Sequence, residues 1–530
     1  MRNISIFLLL VALHATYAQV YRLDAESIRA QDKSYPLIES RSRYHKTITF
    51  GRNSQSESKT NSLDEWMSPT IAYGQNQNDL RDFVPMFMGS SKPGTILKWK
   101  APCFNNNTAS TRLNADGSLT LTIDASQPTS YTCSDWYFLA TRSNFHVKAV
   151  VLHGVNTITI NQFEKGELES ILQEGLHIFE FKDGFLGTII DAYKAIRVLY
   201  GIYFEPDKIN FMTKYMNITF KERPVKVLDL PEDEIKSGAL LGVTTLSGLD
   251  SILMYGTGSR IGHIAMTLRI DKELYVVEST NVGIRKILYK DYLTELQLEG
   301  SSLIYAPLKP KLQSLFDSKK ALSFFEVYQG QSYGYENIAY AWIDTIDKNY
   351  PTPMTFNILS SALSMFEKMS PSWIDLLFVR GAVLRLSRYY NRNVECNTME
   401  CLFVHMDAVN TTLAQLVTLP ELDSFRYPPK DRRPMVCSVF AMNMLRHGGV
   451  LDDVDFNASE FTPKDIYQLD IWDTESERPK QCQVDNFKYC QILGKWYWPV
   501  PMFSTIKPYN YMNQRCGALP MAYERLPVNC

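Results

Sequence analysis

Cys437, His263 and Glu278 are the residues of this sequence whose types and surroundings fit together as a reaction site. A cysteine thiolate is a nucleophile, an imidazole can take up and return a proton, and a carboxylate can hold the imidazole in one tautomer. Together they are the parts of a Cys–His–acid hydrolase. Each also has a simpler explanation alone: a core cysteine, a structural histidine at a strand start, and an acid in solvent at a strand end.

The odd number of cysteines leaves Cys437 without a partner close to it in sequence. The chain has 9 cysteines, and eight of them are close in sequence to a possible partner. The predicted disulfide pairs are Cys103/Cys133, Cys396/Cys401, Cys482/Cys490 and Cys516/Cys530. Spacing alone leaves the connectivity open, including cross-pairing among the last four cysteines. An unpaired thiol in an oxidising compartment is either reactive or a link to another chain.

The surroundings of Cys437 are typical of the first turn of a helix. Pro434 lies just before it, and the pattern predicts a helix from Cys437 to His447 that Gly448 and Gly449 end. The N-terminus of a helix favours a thiolate over a thiol because its free N–H groups and its dipole stabilise negative charge. The same amides could donate to an oxyanion during acyl transfer.

His263 and Glu278 are predicted to lie on neighbouring antiparallel strands, at about 263–270 and 274–279. A two-residue turn at Asp271-Lys272 would place position 265 opposite 278 and position 263 opposite 280. His263 and Glu278 would then be diagonal neighbours on one face of the sheet. A slip of one residue would turn one of them to the other face and separate the pair.

The first residues of the chain predict a secretory signal peptide at 1–18. Arg2 supplies the positive start, an apolar run from Ile4 to Leu13 follows, and Thr16 and Ala18 fit a cleavage site. This run is shorter than the ~20 residues that span a membrane. We therefore expect a secreted protein, or one of a lysosome-like compartment, with no membrane span. Four sequons are candidate glycosylation sites, at Asn106, Asn217, Asn410 and Asn457.

Composition excludes several classes of function. The 530 residues carry 55 Lys and Arg against 57 Asp and Glu, so no basic excess indicates nucleic acid as a partner. Zinc-hydrolase signatures such as His-Glu-x-x-His are missing, and with 8 histidines no histidine pair at helical spacing offers a metal site. We expect no metal and no other cofactor. The oligomeric state stays open.

The chain pattern predicts an α+β protein of several parts. Alternating strands at 95–99, 118–123 and 155–160 predict a small antiparallel β-sandwich that a Cys103–Cys133 bridge could staple. Further strands and then helices, mainly between about 318 and 390, follow. The predicted parts after the signal peptide are a polar segment at 19–84, a β-rich domain at 85–200, an α+β domain at 225–470 and a disulfide-pinned extension at 471–530.

The candidate site resembles that of the circularly permuted papain-like peptidases and amidases of NlpC type, over about residues 235–470. The matching segments are Ser247-Gly248-Leu249-Asp250, Gly262-His263, Glu278 and Cys437-Ser438, with Leu249 inserted into the usual Ser-Gly-Asp pattern. In that family the histidine strand comes before the cysteine helix. The resemblance implies a permuted papain-like domain, and the long separation of His263 and Cys437 implies a helical insertion at about 310–430.

The resemblance also implies roles for the residues. Cys437 would be the nucleophile, His263 the general base and then acid, and Glu278 the orienting residue, while Tyr333, Tyr335 and Ser438 would contact the substrate. The family's activities are hydrolysis of peptide, isopeptide and cell-wall γ-D-glutamyl amide bonds and lipid acyl transfer, so the expected partner is a peptide, amide or acyl substrate. Two alternatives stay open: an inactive secreted binding or structural glycoprotein, and a lipid acyl hydrolase or transferase.

Overall fold

The structure, a computed structural model, describes most of the chain between residues 86 and 512. It covers residues 86–512 with gaps at 131, 147–149, 165, 182–186, 188–189, 191–204, 247, 339, 341–359, 362, 365–366, 369–370, 393, 418, 420–433, 476–478, 486 and 511. The predicted signal peptide at 1–18, the polar segment at 19–84 and the cysteines Cys516 and Cys530 lie outside the described residues. The described residues all belong to a single compact unit, Leu63–Cys530.

The protein is of the mixed α+β class, as predicted. The strands are β1 (Met86–Ser91), β2 (Ile96–Trp99), β3 (Phe104–Leu113), β4 (Leu119–Pro128), β5 (Asp135–Ala140), β6 (Phe145–His146), β7 (Val150–Val151), β8 (Gly154–Ile160), β9 (Leu176–Glu180), β10 (Leu240–Thr244), β11 (His263–Ile270), β12 (Glu273–Thr280), β13 (Gly283–Leu288), β14 (Ser302–Ala306) and β15 (Cys490–Leu493). The helices are α1 (Glu167–Glu174), α2 (Glu205–Met216), α3 (Gly248–Thr257), α4 (Tyr289–Leu298), α5 (Pro310–Gln313), α6 (Ser318–Tyr328), α7 (Pro371–Ile374), α8 (Arg380–Tyr389), α9 (Met399–Asp407), α10 (Leu413–Val417), α11 (Cys437–His447) and α12 (Pro463–Gln468).

Two antiparallel sheets form the N-terminal part. One has the order β2-β3-β4-β8, and the other has β1-β9-β5-β6 with β7 beside β5. The Asn114–Gly117 turn joins β3 to β4 through a hydrogen bond from Gly117 N–H to Asn114 O of 3.1 Å. Alternate residues of both sheets, among them Leu121 on β4 and Ile178 on β9, point into one shared apolar core. The Cys103–Cys133 disulfide lies against this core.

A pair of buried carboxyl groups lies on β5 and β9 in this part of the protein. Asp135 is 3 % exposed and Glu180 is 1 % exposed, and the two side chains share a hydrogen bond. Burial, and then the neighbouring charge of Asp135, raises the pKa of Glu180 to about 9. Glu180 therefore keeps its proton at neutral pH, since two carboxylates this close cannot both be charged.

The proton on Glu180 contributes more stability in acid than in base. The pKa of Glu180 is about 9 when folded against 4.5 for the ordinary side chain, so this stability is full below about pH 4.5 and is lost as the pH rises towards 9. The loss has an upper limit of about 1.4 kcal/mol per pH unit. We expect Glu180→Gln to flatten the fall of the thermal midpoint between pH 5 and pH 8, measured by scanning calorimetry of both proteins.

Glu169→Gln is the matched control, because Glu169 is an exposed carboxylate on α1. This control should keep the wild-type pH dependence of the midpoint. A Glu180→Gln variant that loses stability with pH as steeply as the wild type would contradict the assignment of the buried proton to this pair.

A six-stranded antiparallel sheet is the centre of the second part, with the order β13-β12-β11-β10-β14-β15 among the described strands. Its β11–β12 hairpin turns on Asp271 and Lys272, which have φ values of 49° and 80°. Two successive positive φ values give the type I′ turn that matches the twist of antiparallel strands. The turn fixes the register Ile270↔Glu273 and hence Met266↔Val277.

Both faces of this sheet are covered. On one face Ile264, Met266 and Val277 pack against α6 and α11, and every residue from Cys437 to Leu445 of α11 is buried. On the other face Ala265 and Val276 pack against Tyr292 and other residues of α4. This continuous burial makes α11 a rigid support for its first residue.

The helices α5–α10 all lie between residues 310 and 430, and α7–α10 share an apolar core of their own. Arg142, in the loop after β5, ties this helical region to the N-terminal sheets. Its guanidinium donates two hydrogen bonds to Asp407 on α9, at 2.7 and 2.6 Å, and lies 4.9 Å from the centre of the Phe403 ring. A bidentate, partly buried pair of this kind holds orientation as well as charge.

The segment after residue 470 completes the central sheet. Its strand β15 pairs with β14, and Arg223 donates to Gln491 O at 2.8 Å. The Cys482–Cys490 disulfide closes the loop in front of β15. This strand was not predicted, because the segment was interpreted as a disulfide-pinned extension around the second domain.

Disulfides are present at three of the predicted local pairs: Cys103–Cys133, Cys396–Cys401 and Cys482–Cys490. Cys437 is the free cysteine of the described residues, and it is buried. In the same part of the chain, no helix has the length and apolar character needed to cross a membrane.

Candidate active site

The structure brings Cys437, His263 and Glu278 together at one end of the central sheet. His263 is the first residue of β11, Glu278 lies near the end of β12, and Cys437 is the first residue of α11. The register Met266↔Val277 is the one that the two-residue turn predicts, so His263 and Glu278 are diagonal neighbours on one face.

His263 and Glu278 form a direct hydrogen bond. His263 Nε2 lies 2.7 Å from Glu278 Oε2, and 18 % of the His263 side chain is exposed against 2 % for Glu278. Because Nε2 is occupied by the carboxylate, Nδ1 is the ring nitrogen that remains to face Cys437. A histidine held through one nitrogen presents the other in a fixed tautomer and direction.

Glu278 is held from two further sides. Arg285 Nε donates to Glu278 Oε1 at 2.8 Å, and the Tyr292 hydroxyl donates to Oε2 at 3.2 Å. Burial would raise the pKa of Glu278, but the hydrogen bond and charge of His263 and then those of Arg285 outweigh it and lower this pKa. Glu278 is therefore an anion behind the imidazole at neutral pH.

Three contacts fix the chain just before Cys437. The Ser279 hydroxyl, next to Glu278 on β12, donates to Met435 O at 2.7 Å. Tyr333 forms a parallel β-bridge with Met435. Gly334 allows this approach, since a Cβ there would lie 2.9 Å from Pro434 O. The start of α11 is thus attached to the strand that carries Glu278.

The charges at the site favour a thiolate–imidazolium pair. Burial would raise the pKa of Cys437, but the charge of His263 and its hydrogen bond to the thiol, with the Ile264 N–H and Tyr333, lower it. Burial would likewise lower the pKa of His263, but Cys437 and Glu278 raise it well above its usual value. The thiol and the imidazole are each shifted towards their charged form, because each charge stabilises the other.

The residues predicted to contact substrate lie around Cys437. Tyr333 is 8 % exposed, with its hydroxyl 3.8 Å from Cys437 Sγ. The Tyr335 ring packs edge-on against Tyr333 at 4.9 Å and against Trp373 at 6.2 Å between centroids. Ser438 follows in the first turn of α11 and is 2 % exposed. Contact of these three with a substrate stays a prediction.

Asp250 is a carboxyl group beside His263 to which sequence reasoning gave no role. It lies in the first turn of α3, which begins at Gly248. A Cβ on Gly262 would lie 2.6 Å from Asp250 Cβ, so glycine permits this close contact. Burial raises the pKa of Asp250 to about 6, against the opposing charge of His263 and hydrogen bonds from Thr245.

Arg285 and Tyr292 were also missed. Arg285 lies directly opposite Glu278 on β13, so extending the hairpin register by one strand would have found it. Tyr292 comes from α4, and no local pattern indicates which face of the sheet that helix covers.

A Gly-x-Ser-x-Gly spacing, Gly330-Gln331-Ser332-Tyr333-Gly334, was missed as well. In a serine hydrolase this motif turns from a strand into a helix and exposes the serine. Here it follows helix α6 and precedes the short 3-10 helix Tyr335–Asn337. The segment therefore lacks the strand–turn–helix geometry of a serine nucleophile.

One group of side chains has metal-ligand spacing in the described residues. Ligand atoms of Cys396, Cys401 and His405 lie within 4.8 Å of one another. The two sulfurs are joined in a disulfide, so neither is a thiolate that could bind a metal ion.

The four sequons differ in exposure. Asn106, Asn217 and Asn410 are exposed. Asn457 is 5 % exposed and its amide donates to Glu460 at 3.1 Å, so a glycan there would require this contact to open.

Comparisons of the chain with protein-family models, with curated proteins and with solved structures find no match.

Glu278→Gln tests the electrostatics of the site. Without the anion behind it, the imidazolium loses its stabilisation and the thiolate loses its partner, so the pKa of Cys437 should rise towards its ordinary value. We expect the acid limb of the alkylation rate of Cys437 by iodoacetamide to move up by about 1 pH unit. The measurement is the alkylation rate from pH 4 to pH 9, with the modified cysteine identified by peptide mass spectrometry.

Glu295→Gln is the control for this variant. Glu278 is hydrogen-bonded to both Arg285 and His263, whereas Glu295 accepts a hydrogen bond from Arg285 at 2.9 Å. Glu295→Gln therefore makes the same chemical change at a carboxylate that reaches the His263 ring only through Arg285 and Glu278. An unchanged profile in Glu278→Gln, or an equal shift in both variants, would show that Glu278 does not control the thiol.

Proposed function

We propose that this protein is a thiol hydrolase that cleaves amide or peptide bonds, with Cys437 as nucleophile, His263 as proton carrier and Glu278 as the residue that orients and charges the imidazole. The observation that carries the proposal is the hydrogen bond of 2.7 Å between His263 and Glu278, next to a free cysteine at a helix start whose pKa is lowered. This arrangement activates a thiol without a metal or another cofactor.

The fold proposed for this function is a permuted papain-like domain at 225–470, preceded by a β-sandwich-like domain at 85–200. Support comes from the order of the elements, with the histidine strand β11 before the cysteine helix α11, and from the shared core of the two N-terminal sheets. The sequence resemblance to NlpC-type peptidases and amidases belongs to the same proposal.

In the acylation step the Cys437 thiolate attacks the carbonyl carbon of the amide, and the carbonyl π electrons move to oxygen. The tetrahedral intermediate then collapses. His263 gives its Nδ1 proton to the leaving nitrogen as the C–N bond breaks, which releases an amine and leaves a thioester on Cys437.

In the second step neutral His263 takes a proton from water, and the resulting hydroxide oxygen attacks the thioester carbon. The C–S bond breaks, the carboxylic acid leaves, and the thiolate and imidazolium are restored. Glu278 does not exchange a proton. It stabilises the charge on the imidazole each time that charge forms.

A compartment that is acidic and oxidising suits this protein, so we propose secretion or a lysosome-like location. Three disulfides require oxidising conditions during folding. The proton shared by Glu180 and Asp135 favours the folded state in acid.

A second candidate function is that of an inactive binding or structural glycoprotein. The observation in its favour is the burial of Cys437, which is 2 % exposed, beside Tyr333, which is 8 % exposed. A nucleophile at this depth needs a substrate that enters beside the more exposed His263 ring.

Cys437→Ala tests the proposed function. We expect the wild type to react with an iodoacetamide-type probe at one cysteine and to hydrolyse amides of a peptide library, and the variant to lose both activities while its thermal midpoint stays within a few degrees. Labelling is measured by peptide mass spectrometry and hydrolysis by the release of new amino groups.

Equal labelling of the wild type and Cys437→Ala would refute the assignment of the nucleophile. A reactive Cys437 in a protein that hydrolyses neither amides nor acyl esters would favour the inactive glycoprotein. Hydrolysis of lipid acyl esters without amide hydrolysis would assign the same residues to a lipid acyl hydrolase.

A further inference from the structure

The Cys396–Cys401 disulfide differs from the other two described disulfides in its access to solvent. Cys396 and Cys401 are both half-buried. In the other two bridges at least one cysteine lies in a core, because Cys103, Cys482 and Cys490 are 5 %, 3 % and 0 % exposed. A thiol must reach a disulfide sulfur in order to exchange with it. Solvent access therefore favours exchange at Cys396–Cys401.

A histidine lies beside this bridge. His405 follows Cys401 by four residues in α9, so the two side chains lie on the same face of the helix. A ring nitrogen of His405 lies within 4.8 Å of both sulfurs. The His405 side chain is itself half-buried, so water can return a proton to it. An imidazole in this position can supply a proton to a sulfur as the S–S bond breaks.

The supply of a proton matters because acidic side chains already lie at the start of α9. Glu367 accepts a hydrogen bond from the Met399 N–H at 2.7 Å, and Glu400 directly precedes Cys401. Carboxylates repel a thiolate on Cys401 but not a thiol. Cys401 Sγ also lies 3.8 Å from Glu395 O, which can accept the S–H of that thiol. Cys401 is thus the sulfur that is better accommodated once it carries a proton.

We propose that Cys396–Cys401 is a redox-active disulfide that exchanges with thiols and dithiols, with His405 as the proton donor to the departing sulfur of Cys401. The attacking thiolate bonds to Cys396 Sγ and the S–S bond breaks. The electron pair of that bond goes to Cys401 Sγ, which takes the proton of His405. The products are a mixed disulfide on Cys396 and a thiol at Cys401.

A second thiolate completes the reduction. It attacks the outer sulfur of the mixed disulfide, and Cys396 leaves as a thiolate that takes a proton from water. Two thiols have then become a disulfide, and their two electrons have passed to the bridge. His405 regains its proton from water. The bridge belongs to the helical region α7–α10 and uses no residue of the candidate active site, so this inference does not rest on the proposed function.

The test is reduction of the native wild-type protein by glutathione, followed by alkylation of the free thiols at timed intervals and peptide mass spectrometry. We expect Cys396–Cys401 to be reduced at least about tenfold faster than Cys103–Cys133 and Cys482–Cys490. Early samples should carry glutathione on Cys396 and the alkyl label on Cys401. A bridge that reacts no faster than the other two, or that carries glutathione on Cys401, would overturn the proposal.

His405→Gln tests the proton donor. Without it we expect reduction of Cys396–Cys401 to slow by about tenfold, because the departing sulfur becomes a poorer leaving group, while the other two disulfides keep their rates. The matched control is His153→Gln, because His153 is an exposed histidine before β8. It should leave the rate at Cys396–Cys401 unchanged, and thermal midpoints show whether both variants are folded. Equal rates in the wild type and folded His405→Gln would refute the role of His405.

Discussion

The imidazole of His263 lies between two groups that both favour its protonated form, and the proposed chemistry depends on this. Glu278 is hydrogen-bonded to one ring nitrogen, and Cys437 faces the other. In a buried site the cost of separating charges is large, so a thiolate forms only where a cation is already stabilised beside it. Arg285 in turn keeps Glu278 ionised, which completes an alternating row of charges from the thiol to the surface.

The rest of the fold holds these charged groups in position. The type I′ turn at Asp271-Lys272 sets the diagonal contact of His263 with Glu278, and Ser279 attaches the same strand to the start of the cysteine helix. Because α11 is buried from Cys437 to Leu445, its first residue cannot shift without disturbing the core. Geometry at the site is therefore a consequence of packing that extends over both faces of the sheet.

Sequence reasoning succeeded where the signals are local. The hairpin register follows from a two-residue turn and the strand period, and Cys437 follows from cysteine parity and helix-start signals. It failed where contacts join distant segments. Arg142 meets Asp407 at a separation of 265 positions, and β15 joins the sheet from beyond residue 489. Helix α3, which contains the apolar run after Asp250, was not predicted, because the length of an apolar run alone does not distinguish a strand from a helix.

The protonation state of His263 is the most direct measure of the proposed thiolate–imidazolium pair. The chain contains 8 histidines, so ¹⁵N labelling of the imidazole rings gives a small set of signals that His263→Gln can assign. At pH 7 we expect both ring nitrogens of His263 to carry protons in the wild type, and the ring to become neutral when Glu278 is replaced by Gln. A neutral His263 in the wild type at pH 7 would refute the proposed ion pair, because a neutral ring provides no cation to hold Cys437 as a thiolate.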